Sequence, residues 1–322
     1  MPFIVLRNDI TKMKVDVIVN SANPEPMIGG GVDFAIHEAG GKELVEARIN
    51  LGAINIGEVK ETKGYNLPSN HVFHVVGPVY KNGNENESGQ LYSCYMNALL
   101  LARDMKVESI AFPLISAGIF GFPRDKAITI ATRAIKDFLE KHEIMIYLVV
   151  FDTKSYIISK EIHEHIESLI DSGEVDLQEK RANEMGMRQR RRQMESAEIV
   201  HFHAREFDIK EDTWQEALFQ YIDAKGLKET DVYKKANIDR KHFSKIRSNS
   251  LYHPSKPTAV AFAIALNLEI DDTIDFVGKA GYHLSQAIRF DVIIRYYIEQ
   301  KNYDIFLINN TLFDFDQELL GA

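Results

Sequence analysis

Along the first 160 residues, short apolar runs alternate with stretches in which apolar residues recur every three or four positions. The first pattern reads as buried strand and the second as amphipathic helix, so their repetition marks an α/β domain. VDVIVN (15–20), HVFHVVGP (71–78), VESIAFPLI (107–115) and IMIYLVVFD (144–152) are the predicted strands. DFAIHEAGGKELVEARIN (33–50), GQLYSCYMNALLLARDM (89–105), PRDKAITIATRAIKDFLEKH (123–142) and TKSYIISKEIHEHIESLI (153–170) are the predicted helices. Strands separated by helices should build a mostly parallel sheet covered on both faces, and such sheets hold ligands beyond the carboxyl ends of their strands. Past residue 205 the period is helical throughout, with five short helices at 213–226, 228–237, 239–249, 256–267 and 270–282, then further helices near 285–300 and 303–319. That change of period marks a second, all-α domain over 205–322.

Length fits this division, since 322 residues exceed the usual single domain and leave each half able to bury a core. The segment 171–204 between them is charged and poor in apolar anchors, and reads as a solvated linker or helix. A net charge of −9 excludes a protein coated in basic residues, yet local patches stand out. Residues 178–195 hold six Lys or Arg against three acids, and 239–256 hold five against one. Cys94 is the one cysteine, so neither an internal disulfide nor a multi-cysteine metal site can form, and no metal is expected. No apolar run is long enough to cross a bilayer and the start does not resemble a signal peptide, so no membrane partner and a cytoplasmic location are expected.

The candidate chemistry sits where VDVIVN ends. NSANPEPMIGGGVDFAIHEAGG (20–41) passes from a polar loop through Gly29, Gly30 and Gly31 into a helix. Glycines admit a ligand close to the backbone, and a helix start offers unpaired N–H groups to an anion. AFPLISAGIFGFP (111–123) repeats the design, leaving a strand, passing Ser116, Gly118 and Gly121, and entering a helix near Pro123. Two such loops on one sheet edge suit a diphosphate. Neither loop matches the GK[ST] P-loop or the GxGxxG dinucleotide motif. Pro24 and Pro26 stiffen the first loop by fixing φ.

Four motifs in order, NDI (8–10), NSANPEPMIGGGVDFAIHEAGG, GYNLPSNHVFHVVGP (64–78) and PLISAGIFGFP (113–123), resemble the macrodomain family, and within it the MacroD-type ADP-ribosyl hydrolases, over residues 1–170. The resemblance implies an α/β macrodomain that binds ADP-ribose as ligand or product, without a cofactor. It further implies release of ADP-ribose from modified acidic side chains or from O-acetyl-ADP-ribose; a non-catalytic reader would use the same cleft. Carried over by motif, Asp9 would accept from the adenine amino group and Ile10 would donate a backbone N–H nearby. Asn23 would fix the distal ribose, Asp33 would place the attacking water, and His37, one turn later, would steady that carboxylate. Gly30, Gly31 and Val32 would line the diphosphate from one side; Ser116, Ala117, Gly118, Ile119 and Phe120 would line it from the other. Phe151 would pack on the adenine. Partners would then be an ADP-ribosylated protein or nucleic acid, or O-acetyl-ADP-ribose. Each role has a plain alternative: Asp33 as a helix cap, Asp9 as an Asx cap, His37 as a packed helix residue, Phe120 as core. His71, His74 and Cys94 read as structural.

The five helices over 213–282 are similar in order and spacing to the Cro/repressor-type helix-turn-helix fold. That likeness implies a recognition helix carrying Arg240, Lys241, His242, Ser244, Lys245 and Arg247, with Phe243 and Ile246 facing the core. Such a face would meet DNA; it would otherwise be solvated or bind a protein. In FDVIIRYYIEQKNYDIFLINNTLFDF (290–315), Tyr296, Tyr297, Tyr303 and Phe306 read as core first and as a homodimer interface second.

Overall fold

The computed structural model describes residues 3–151, 160–170, 212–249, 252–286 and 288–321. The linker predicted at 171–204, with its basic run, lies outside them. The chain divides into two compact units, one of residues 1–160 with 237–239 and 321–322, the other of 161–236 with 240–320.

The first unit is a six-stranded sheet flanked by helices. Its strands are β1 (Phe3–Arg7), β2 (Val17–Ser21), β3 (Val59–Lys63), β4 (His71–Val75), β5 (Ser109–Pro113) and β6 (Met145–Val150), in the order β1-β6-β5-β2-β4-β3. Five strands are mutually parallel; β3 runs antiparallel to β4, so the sheet is mixed. The apolar runs predicted as strands all form, and Val17, Ile18 and Val19 in the middle strand β2 are fully buried. Continuous rather than alternating burial is what a strand covered on both faces shows. Two strands escape the periodicity argument: β1 is five residues at the very start, and β3, VKETK, is mostly polar because it lies at the sheet edge.

Helices α1 (Val32–Gly40) and α2 (Lys42–Asn50) replace the single helix predicted over 33–50. Gly41 breaks it by adopting φ of 84°, a conformation that L side chains rarely adopt. A short 3-10 turn at Ile10–Lys12 follows β1, and α1 packs on that turn and on β2. Helices α3 (Glu87–Asp104) and α4 (Arg124–Leu139) pack on each other, with α3 also against β3 and β4. Cys94 is buried in α3, donates to the Val76 carbonyl at 3.4 Å, and has its thiol pushed up to about 12 by burial, which makes it an inert packing residue.

The second unit is all helical among the described residues. It holds α5 (Lys160–Ile170), α6 (Trp214–Ala224), α7 (Glu229–Lys235), α8 (Arg240–Ser248), α9 (Lys256–Ala265), α10 (Ile270–Lys279), α11 (Arg289–Glu299) and α12 (Ile305–Asp314). The sequence places α5 with the sheet; the structure groups it with the helical unit from Glu161 onward, where His165 meets the ring of Tyr296. Eight of the ten residues of α9 are buried, from Thr258 to Ala265, which makes it the centre of the array. Trp214 packs against Phe262 and Phe276, while Phe243 meets Phe219, Tyr233 and Phe262, so aromatic contacts tie α6 through α10 together. Tyr297 and Phe306 are core residues, and Tyr296 and Tyr303 are half-buried.

Helix α6 opens on a capping box, with Thr213 Oγ1 accepting from Glu216 N and the Glu216 side chain accepting from Thr213 N. Thr213→Ala should therefore lower unfolding free energy by about 1 kcal/mol. A urea titration would show this as an earlier midpoint at unchanged slope.

Candidate functional site

Strands β2 and β5 are parallel neighbours, so the loops that leave their carboxyl ends emerge side by side. The loop after β2 spans 22–31 and ends at Gly31, which caps α1 with φ of 65° and no side-chain bond. Among the described residues, the amides of Gly30, Gly31 and Val32 bond to no other group of the chain. Across from them, the loop after β5 turns at Ser116 and Gly121, with φ of 63° and 67°. It is closed by Gly121 N donating to Gly118 O and Phe122 N to Ser116 O, at 3.0 Å each. These turns leave the amides of Gly118, Ile119 and Phe120 without a chain partner among the described residues. A methyl placed on Gly30 would come within 3.2 Å of Ile119 Cδ1, so the two loops face each other at close range. Amides without a chain partner on two neighbouring loops are donors that an anion could accept from.

Asp33 is the second residue of α1 and is almost fully buried. Its carboxylate does not cap the helix. Oδ2 accepts from Gly29 N at 2.6 Å and Oδ1 from Asn20 Nδ2 at 2.6 Å. His37, one turn on, donates from Nδ1 to the Asp33 carbonyl at 2.8 Å, with Oδ1 of the same residue 3.2 Å away. Burial pushes the Asp33 carboxyl up, but bonds from His37, Asn20 and Gly29 outweigh it and hold the group below the ordinary carboxylate range. The site thus contains a fixed anion with both oxygens engaged. Asn23 joins it, because a methyl on Gly29 would lie 3.2 Å from Asp33 Oδ2 and 3.8 Å from Asn23 Nδ2.

Behind Asp33 runs a chain of buried polar groups that the periodicity of β4 concealed. Asn20 Nδ2 donates to His74 Nδ1 at 3.1 Å, so His74 carries its proton on Nε2 and donates to Thr62 Oγ1 at 3.0 Å. Burial, with charge from His37 and Arg48, drives the His74 imidazole down to about 3, and it stays neutral. The rings of His37 and His74 stack with centroids 5.6 Å apart. His74 is therefore structural, as its strand position implies, yet it orients the donor that holds Asp33. Asn20 is legible as a polar residue closing an apolar strand. Arg48, fully buried on α2, is legible as a cation four residues after the buried Leu44, on the inward face.

The remaining predicted residues fall as follows. Asp9 does cap the 3-10 turn, accepting from Thr11 N at 3.0 Å and Thr11 Oγ1 at 2.7 Å, with Lys12 at 3.5 Å. The Thr11 hydroxyl, partly offset by burial and aided by the Thr11 amide and Lys12, lowers its carboxyl. Ile10 is buried beside it. Phe151 follows β6 with 83% of its surface exposed. Ser116 is buried, Ala117 and Phe120 are half-buried, and Ile119 is 80% exposed. In the helical unit, α8 presents Arg240, Lys241, Ser244, Lys245 and Arg247 outward and buries Phe243 and Ile246. Arg247 is paired with Glu229 at 2.9 Å, and His242 bonds Tyr252 Oη at 2.7 Å. No group of three or more His, Cys, Asp or Glu among the described residues could hold a metal, and no described helix is long and apolar enough to cross a membrane.

A family model described as Macro domain matches residues 19–131. A Macro domain-containing protein of Methanosarcina mazei is 47% identical over 153 residues, which cover 47% of this chain and 82% of that protein. This chain belongs to the macro domain family. An O-acetyl-ADP-ribose deacetylase of Escherichia fergusonii is similar to it at 46% identity over 157 residues, covering 47% of this chain and 89% of that protein. A solved Oceanobacillus iheyensis macrodomain with ADP is 38% identical, covers 51% of this chain and 90% of its own, and superposes with a TM-score of 0.46. The macro domain match contains both glycine loops, Asn23, Asp33 and His37.

Proposed function

We propose that this chain binds ADP-ribose and hydrolyses ADP-ribosyl esters, either O-acetyl-ADP-ribose or ADP-ribose carried on an acidic side chain. The observation that supports this best is the pair of facing loops with free amides, Gly30 to Val32 and Gly118 to Phe120, beside a buried ionised Asp33. A diphosphate would sit between the amide rows. The adenine would reach Asp9, the Ile10 amide and the open ring of Phe151, and Asn23 would hold the distal ribose. The 46% identity to a protein named O-acetyl-ADP-ribose deacetylase supports an ester as substrate.

In this reading Asp33 orients a water rather than removing its proton beforehand, because a carboxylate held below its ordinary range is a poor base. For a modified acidic side chain, the bond from the anomeric carbon to the ester oxygen breaks and the carboxylate leaves with the electron pair. The water oxygen bonds to that carbon, and its surplus proton goes to the departing carboxylate. Charge developing on the sugar is balanced by the fixed anion of Asp33. Release of ADP-ribose from O-acetyl-ADP-ribose and from an ester-modified protein tests the reading. ADP-ribose binding without release from either would make the cleft a reader.

The outward basic face of α8 carries a second reading, in which α7 and α8 form a helix-turn-helix pair that contacts DNA. Arg240, Lys241 and Lys245 are exposed, whereas Phe243 and Ile246 anchor the helix. Removing charge at Lys241 and Lys245 together should reduce the slope of log affinity against log salt by about 2, since each phosphate contact contributes about 0.9. No DNA binding by the full chain at low salt would sink this reading.

A further inference from the structure

Arg48 is a buried cation with no carboxylate in ion-pair range among the described residues. All its bonds go to carbonyl oxygens. Nη2 donates to Asn23 O at 2.7 Å and to Glu25 O at 3.0 Å, while Nη1 donates to Gly52 O at 2.9 Å. Between those two loop carbonyls, Pro24 O accepts from Ile54 N at 2.9 Å. Three consecutive carbonyls of the loop after β2 are thus gripped by α2 and the segment that follows it. Pro24 and Pro26 have no N–H, so this stretch has few donors with which to organise itself. The grip begins at Asn23, whose Nδ2 would lie 3.8 Å from a methyl placed on Gly29, the residue whose amide donates to Asp33 Oδ2. Burial pushes the guanidinium below its ordinary range, and the nearby Asp33 carboxylate partly offsets this by favouring its charged form.

We infer that Arg48 is a positioning residue of the hydrolytic centre, a clamp that fixes the Asn23–Glu25 backbone and thereby the stance of Asn23 against Asp33. The catalytic consequence rests on the hydrolase reading; the clamp itself does not. A planar fork that donates to two carbonyls from one nitrogen while its other nitrogen holds a third is a geometry lysine cannot reproduce.

The test uses the full chain with Arg48→Lys and Arg48→Met, the lysine variant deciding if the methionine variant does not fold. Binding of ADP, which lacks the distal ribose, should stay within about twofold, because the amide rows are untouched. ADP-ribose should bind about tenfold more weakly, and kcat should fall about 10²-fold with a smaller change in KM, as for a reacting group displaced by roughly 1 Å. Hydrogen exchange across residues 22–31 should be at least about tenfold faster, while β5 and β6 keep their protection. A lysine variant with wild-type loop exchange and wild-type kcat overturns the inference. So does equal weakening of ADP and ADP-ribose with unchanged kcat, which would mark a merely structural arginine. If wild type releases no ADP-ribose, the hydrolase reading fails, and loop exchange with the ADP to ADP-ribose comparison still decides the clamp.

Discussion

Asp33→Ala should slow ADP-ribose release by about 10²–10⁴-fold, the range that a positioned acid–base or water-orienting group contributes, while ADP affinity stays near that of wild type. The separation follows from geometry. The ligand's diphosphate would contact backbone amides of Gly30 to Val32 and Gly118 to Phe120, none of which bonds to the Asp33 side chain, whose one backbone donor is the Gly29 amide. What the variant loses is the carboxylate that holds the Gly29 amide and the Asn20 side chain. The pH dependence gives a second check. Because bonds from His37, Asn20 and Gly29 outweigh burial, the acid limb of the rate profile should lie below the ordinary carboxyl value of 3.8. Asn20→Ala removes one lowering bond and leaves burial's upward push, so the limb should move to higher pH. The same lowered value makes the folded carboxylate stabilising: its contribution is present above the unfolded-chain value and is lost as pH falls through the folded one. An Asp33→Ala enzyme of wild-type rate would refute the assignment.

Gly77→Ala should reduce ADP-ribose affinity by at least about tenfold and destabilise the fold by about 1–3 kcal/mol, the usual cost of forcing a methylene into a packed site. Gly77 lies just past β4, where a Cβ would overlap Ser116 Oγ and approach Ile115 Cγ2 to 2.7 Å. Ser116 has little room to yield, being buried and held at φ of 63° at the turn that sets up the free amides. Its displacement would therefore be passed to Gly118, Ile119 and Phe120. Calorimetric titration with ADP-ribose, alongside thermal unfolding, separates the two effects. Gly118→Ala is the contrasting case for stability, since a Cβ there meets nothing within 4 Å. Undiminished ADP-ribose binding by Gly77→Ala would remove the second loop from the site.

The sequence shows most clearly the features whose physics is local. The four apolar strands declare themselves by unbroken apolar runs, and the two loops by glycine clusters at strand ends. The break at Gly41 was not legible as periodicity, because α1 and α2 each keep an amphipathic pattern and only the positive φ separates them. Strand β3 was invisible for the opposite reason, since an edge strand needs few apolar residues. Asn20, His74 and Arg48 depend on partners 13, 54 and 25 positions away, so their roles emerge only when the sheet and α2 are assembled. Asp9 illustrates overlap rather than failure: the capping geometry it adopts still leaves it at the end of β1, where the resemblance places an adenine contact.

The polarity of β3 also bears on what the sheet excludes. Its edge strand reads VKETK, in which Lys60 donates to the Leu51 and Ala53 carbonyls, Glu61 pairs with His71 on β4, and Lys63 is exposed at the end. Charged residues on an edge strand blunt it against pairing with a further strand. On the hydrolase reading proposed above, recognition of a modified carrier would then rest on the modification and the loops around the cleft rather than on strand pairing at this edge.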